Sequence, residues 1–166
     1  MKKTILFKTL IDILFFCLCL TSISAFLVVP LGFGSINMDD QIVENWGLFS
    51  ILIIGLSIIS YALLIIGIYF LRKVARLMLN ERYFQKNISL FLKKSGNYLI
   101  MSSIASILML LIAFAKKILF SQTIELLYDS DKVLILFILI IGFFFNIQAS
   151  IIKQSISLKQ ENDLTI

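Results

Sequence analysis

Histidine is absent from this chain of 166 residues, cysteine occurs twice, proline once, and charged side chains make up only 15%. Without imidazole there is no Ser-His-Asp triad, no histidine general base and no usual imidazole metal site. The two thiols, Cys17 and Cys19, are two positions apart, which on a helix turns them about 200° from one another. They cannot share a metal ion or readily close a disulfide, and they read as buried thiols. Charge is scarce too, since a soluble globular domain carries roughly a quarter charged residues. What is abundant is apolar surface: 60% of the residues are hydrophobic and the mean hydropathy is +1.00. A small domain cannot fold that excess inward, so it must face lipid.

A helix needs about 20 mainly apolar residues to cross a roughly 30 Å hydrocarbon layer. Four such stretches are present, at about 11–29, 48–71, 98–115 and 133–152. The first ends at Pro30, and the third stops at Lys116 and Lys117. All four are continuously apolar, whereas a membrane barrel would alternate apolar and polar positions over about ten residues. The sequence therefore predicts an all-α integral membrane four-helix bundle, one domain over 1–166, with an elbow at 72–97 and a tail at 153–166.

The few basic residues set the orientation. Lys2, Lys3 and Lys8 precede the first span. Arg72, Lys73, Arg76, Arg82, Lys86, Lys93 and Lys94 lie in the elbow, and Lys153 and Lys159 in the tail. Only Lys116, Lys117 and Lys132 fall on the opposite side. Twelve against three places both termini and the elbow in the cytoplasm. The outer first loop is acidic, with Asp39, Asp40 and Glu44, and Trp46 suits an interfacial aromatic belt. The N-terminus also has features of a secretory signal, with Lys2 and Lys3 before an apolar run and Ser22, Ser24 and Ala25 behind it. That run is longer than the 7–15 residues of a typical signal core, and Asp12 intrudes before it, so an uncleaved first span is expected.

Polar groups within or beside the spans suit packing better than chemistry. Asp12 lies one helical turn after Lys8 and is expected to pair with it or reach headgroups. Gly142, Asn146 and Ala149 share one face of the fourth helix, and Ser102 and Ser106 one face of the third. Small residues let helices approach closely in lipid, and Ser or Asn can hydrogen-bond across. Tyr61 and Gly67 have the same reading in the second span. No paired carboxylates, metal cluster or nucleophile-base spacing is visible, so neither an enzyme nor a cofactor is expected.

The elbow interleaves its basic residues with Val74, Leu77, Met78, Phe84, Ile88, Phe91 and Leu92. The i, i+3, i+4 spacing predicts two amphipathic helical extensions joined by a turn near Asn80, with Asn87 as an N-cap. Their apolar faces are expected in the membrane interface, with Lys and Arg on anionic headgroups. Headgroup binding is the first reading, docking of a cytoplasmic protein the second, and direct nucleic-acid binding the weakest, because no binding motif is present.

The stretch Asn80-Glu81-Arg82-Tyr83-Phe84-Gln85-Lys86-Asn87, leading to Leu92-Lys93-Lys94-Ser95-Gly96, resembles the inter-helix segment of a family of small bacterial four-span proteins known as domain of unknown function 2975. The ending Glu161-Asn162-Asp163-Leu164-Thr165-Ile166 resembles that family's characteristic terminus. Tyr83 departs from the pattern, which often has Pro before the Phe. The resemblance implies four spans throughout, set in a bacterial inner membrane, and carries over no activity or catalytic residue. It also implies a possible partner, a small helix-turn-helix regulator encoded nearby.

The tail has three readings of its own: an extended segment with a free carboxylate captured by a pocket or strand edge, disorder, or docking of Glu161 and Asp163 on the elbow's basic residues. The functional expectation is a non-enzymatic interaction or regulatory protein whose surface comprises Arg72, Lys73, Arg76, Arg82, Phe84, Lys86, Asn87, Lys93, Lys94, Glu161, Asp163, Leu164, Thr165 and Ile166. The alternative is a small transporter or channel subunit, a homo-oligomer packed through the Ser102/Ser106 and Gly142/Asn146 faces.

Overall fold

Inside a bilayer no water is available to the backbone, and an α-helix bonds each N–H and C=O within its own segment. The computed structural model meets that demand with four helices: α1 Lys2–Val28, α2 Leu48–Leu79, α3 Lys86–Phe120 and α4 Ser130–Leu164. It describes residues 2–28, 37–38, 41–42, 48–79, 86–120 and 130–164, with side chains over 2–24, 51–79, 86–115 and 133–162. Between α1 and α2, Asn37–Met38 and Gln41–Ile42 pair antiparallel, Asn37 opposite Ile42 and Met38 opposite Gln41. Each helix is long and apolar enough to cross a membrane, and the protein is a multi-pass membrane protein of the expected all-α, four-helix class. Their outward faces are apolar, as at Leu20, Ile58, Leu111 and Ile140, all exposed.

The helices outrun the spans. With 27, 32, 35 and 35 residues at 1.5 Å each, they are about 40–52 Å long against a hydrocarbon core of about 30 Å. Elbow and tail are thus largely overhanging helix. As far as Leu164 the tail differs from the extended or disordered readings, because α4 continues to that residue; Thr165 and Ile166 lie outside the described residues. Residues 143–164 contain neither Gly nor Pro and are well supplied with Leu, Lys, Gln and Glu, so nothing local stops the helix. Asn87 is the second residue of α3 rather than a cap before it, a shift of the size by which helix ends ordinarily vary.

Helices adjacent in sequence are adjacent in space. α2 packs on α1 and α3, and α3 on α4; among the described residues no other pair of helices comes within 8 Å Cα to Cα. The α2–α3 contact repeats every seven residues in opposite senses. Ser60 and Ser102 exchange bonds to each other's carbonyls, at 3.0 and 2.8 Å; Ser95 Oγ donates to Gly67 O at 2.8 Å; Val74 and Ile88 are both buried. The α3–α4 contact uses the next residue of each pair. Ser89 Oγ donates to Ala149 O at 2.7 Å, and the backbones cross at Gly96 and Gly142. Buried Ser103 continues the line. α3 therefore carries Ile88-Ser89, Ser95-Gly96 and Ser102-Ser103 at heptad spacing. A seven-residue repeat keeps such a seam aligned along two gently inclined helices.

The apolar core lies at the elbow end. Ile11, Leu71, Val74, Ala75, Ile88, Leu92 and Ala149 are buried together, with Leu77, Met78, Phe91 and Ile152 packed against them. The elbow's apolar faces were expected on the membrane surface; they face one another instead. Outside hydrocarbon, water drives such residues together, whereas between helices in lipid that drive is missing and small residues with hydrogen bonds take over. The thiols also differ from expectation: Cys17 is exposed and Cys19 half-buried, both free.

Candidate interaction surface

The overhanging ends of α2, α3 and α4 carry ten of the fourteen expected surface residues, and the structure sorts those with described side chains into distinct roles. Arg72 donates from Nε to Asp12 Oδ1, while Lys8 Nζ lies 3.8 Å from Asp12 Oδ2. The Arg72 guanidinium also lies 5.1 Å from the centroid of Phe15. Asp12 thus has a cross-helix partner besides the expected Lys8, and Arg72 is engaged within the chain. This cluster, Ile11, and Tyr61 Oη donating to Leu18 O at 2.9 Å fasten α1 to α2.

Both side chains of the Asp12–Arg72 pair keep about a quarter of their surface exposed, 26% and 29%, so solvent screens much of the attraction. A double-mutant cycle with Asp12→Asn and Arg72→Gln is expected to give a coupling of about 1 kcal/mol. Denaturant titration of the detergent-solubilised protein measures it, and strict additivity of the two changes would count against the pair.

Lys73 stands among three rings, its Nζ 4.7 Å from Tyr69, 5.4 Å from Phe91 and 5.6 Å from Phe70. Lys94 Nζ lies 5.5 Å from Phe70. Phe70 is stacked between Phe91 and Tyr98, at 6.1 and 5.6 Å. Contacts of ammonium and ring contribute about 0.5–1 kcal/mol each at exposed sites. Aromatic rings and long basic chains at one level fit a membrane–water boundary, where each keeps an apolar body in lipid and a polar end in water.

Arg76, Lys86, Asn87 and Lys93 are exposed, as is Glu161 near the end of α4. Arg82, Phe84 and the turn near Asn80 lie outside the described residues, as do Thr165 and Ile166; Asp163 and Leu164 are described in backbone only. The expected loop residues Asp39, Asp40, Glu44 and Trp46 are also outside them. Among the described residues no three of His, Cys, Asp or Glu gather in a way that could hold a metal ion.

Of the packing residues, Ser106 joins the α2 seam through Ser60 Oγ at 2.6 Å. Asn146 Nδ2 donates to Asn97 Oδ1 at 2.9 Å, and its own Oδ1, buried without a hydrogen-bond partner, rests on Gly96. The faces considered for oligomerisation are therefore used between helices of one chain. Sequence reasoning missed Ser60, Ser89, Ser95 and Gly96 as partners and Tyr98 as a stacking ring. The seven-residue recurrence of small pairs along α3 was the available signal.

No curated protein and no solved structure matches the chain. A family model described as "Protein of unknown function (DUF2975)" matches residues 22–166, which include all of α2, α3 and α4 and the expected terminal motif. The chain belongs to the DUF2975 family of proteins of unknown function.

Proposed function

We propose that this protein acts without catalysis, as an inner-membrane interaction or regulatory protein whose elbow end and α4 tail face the cytoplasm. One observation carries the reading: the buried apolar core lies beneath the basic overhanging ends rather than midway along the spans. Packing there makes a firm platform where a partner would dock. The twelve basic residues that the sequence groups in the N-terminal arm, the elbow and the tail favour the cytoplasmic side. The helical tail, about 17 Å from Lys153 to Leu164 at 1.5 Å per residue, extends the platform away from the membrane. A small cytoplasmic DNA-binding regulator is the partner class that the family resemblance suggests. The transporter reading loses its supporting groups, since Ser102, Ser106 and Asn146 are engaged between helices.

Affinity capture of the full chain, tagged at its N-terminus, tests the proposal against a chain lacking 161–166. The expected result is a partner recovered by the full chain and at least fivefold depleted with the truncated one. Equal recovery from both forms, or no partner from either, would overturn it.

A further inference from the structure

The basic residues at the elbow end are not equally neutralised. Arg72 has Asp12, and Lys73 and Lys94 rest on rings. Lys93 of α3 and Lys153 of α4 instead line one cleft, and neither has an ion-pair partner among the described residues. The cleft has a volume of about 360 Å³ and is completed by Ser89, Ala149, Ser150, Gln154 and Ser157, within the range of small-molecule sites. Two ammonium groups lining one cleft give it a positive charge that favours an anion. Ser89 Oγ donates to Ala149 O and ties the two walls together, while Ser150 and Ser157 donate within α4 to the carbonyls of Asn146 and Gln154. The Gln154 amide supplies a further donor.

We infer that this α3–α4 cleft is a phosphate-binding site, taking a phosphate monoester or diester through Lys93, Lys153 and Gln154. Its surroundings favour a lipid source. On α4, Phe143 and Ile147 precede Ser150 by seven and three residues and Gln154 by eleven and seven, so they continue the same helix face towards the span. Both are exposed apolar side chains, a track for an acyl chain beneath a headgroup in the cleft. Neutral lipid lacks the net charge that the lysines select. The inference does not rest on the protein-partner reading, because the cleft takes an anion whether or not a protein docks above it.

Native mass spectrometry of the full chain in neutral detergent supplies the test, titrating phosphatidylglycerol, phosphatidylcholine and inorganic phosphate separately. Wild-type protein should retain phosphatidylglycerol at least tenfold better than phosphatidylcholine. Lys93→Gln with Lys153→Gln should lose at least tenfold in that affinity, each single change less, and Lys93→Arg with Lys153→Arg should keep most of it. Lys73→Gln with Lys94→Gln removes the same charge from residues held by rings and should cost less than threefold. Saturation by inorganic phosphate alone identifies a free phosphate as a sufficient ligand; binding of the lipid alone identifies the headgroup. Equal losses in both double variants would reveal diffuse attraction and overturn the site, as would an unchanged affinity in the Lys93/Lys153 variant or no binding of either phosphate source by wild type.

Discussion

Ile88→Ala is expected to lower the free energy of unfolding by about 2–5 kcal/mol, the largest effect of any single truncation considered. Ile88 is 0% exposed and sits against Val74, itself 1% exposed, in the core that joins the overhanging ends of α2 and α3. Removing its outer carbons opens a cavity, and neighbours anchored by Ser89 and Ser95 have little freedom to fill it. The cost should approach that of a water-soluble core, because a segment this rich in Lys and Arg does not sit in hydrocarbon. Leu90, two residues away, is 44% exposed, and Leu90→Ala should change stability by less than about 0.5 kcal/mol. Denaturant titration in detergent compares the two. Similar losses would mean that the elbow is not packed as described.

A second large effect is expected at the crossing of α3 and α4. A Cβ at Gly96 would lie 2.7 Å from Gly142 O and 2.7 Å from Asn146 Oδ1. The asparagine can swing away, but the carbonyl belongs to a helix backbone, so the helices must separate. That movement loosens the Asn146–Asn97 bond and the Ser89 contact with Ala149. Gly96→Ala should cost about 1–3 kcal/mol, because the added methyl has no space to fill at the crossing. Gly55→Ala is the control, since a Cβ there meets nothing within 4 Å, and alanine favours helix over glycine by about 0.5–1 kcal/mol. Gly55→Ala should therefore leave thermal stability unchanged or raised. If the two glycines respond alike, the close crossing is not a determinant of stability.

Much of this architecture is legible along the chain. Four long apolar runs have one low-energy answer in a bilayer, a helix each, because unpaired backbone groups are too costly there. The helical extensions of the elbow follow from the spacing of Val74, Leu77, Met78 and of Ile88, Phe91, Leu92, a local periodicity readable without knowing any neighbour. Helix ends are less legible along the chain. Asn87 lies inside α3 and the tail is helical as far as Leu164, since favourable helix formers extend an element until something interrupts it.

The sequence alone determined that the protein crosses a membrane, how many helices are long and apolar enough to do so, and where its positive charge is concentrated, because each of these depends on composition within one segment. Only the tertiary structure decided what those segments do to one another. Ser60 and Ser102, or Ser89 and Ala149, are 42 and 60 residues apart, and no local period says which helix a small residue will face. The same reason explains Arg72 and Lys153. In sequence they are two members of one basic set, yet packing gives the first a carboxylate on α1 and places the second beside Lys93 in a cleft. Charge is distributed by the chain, and its partners are assigned by the meeting of helices.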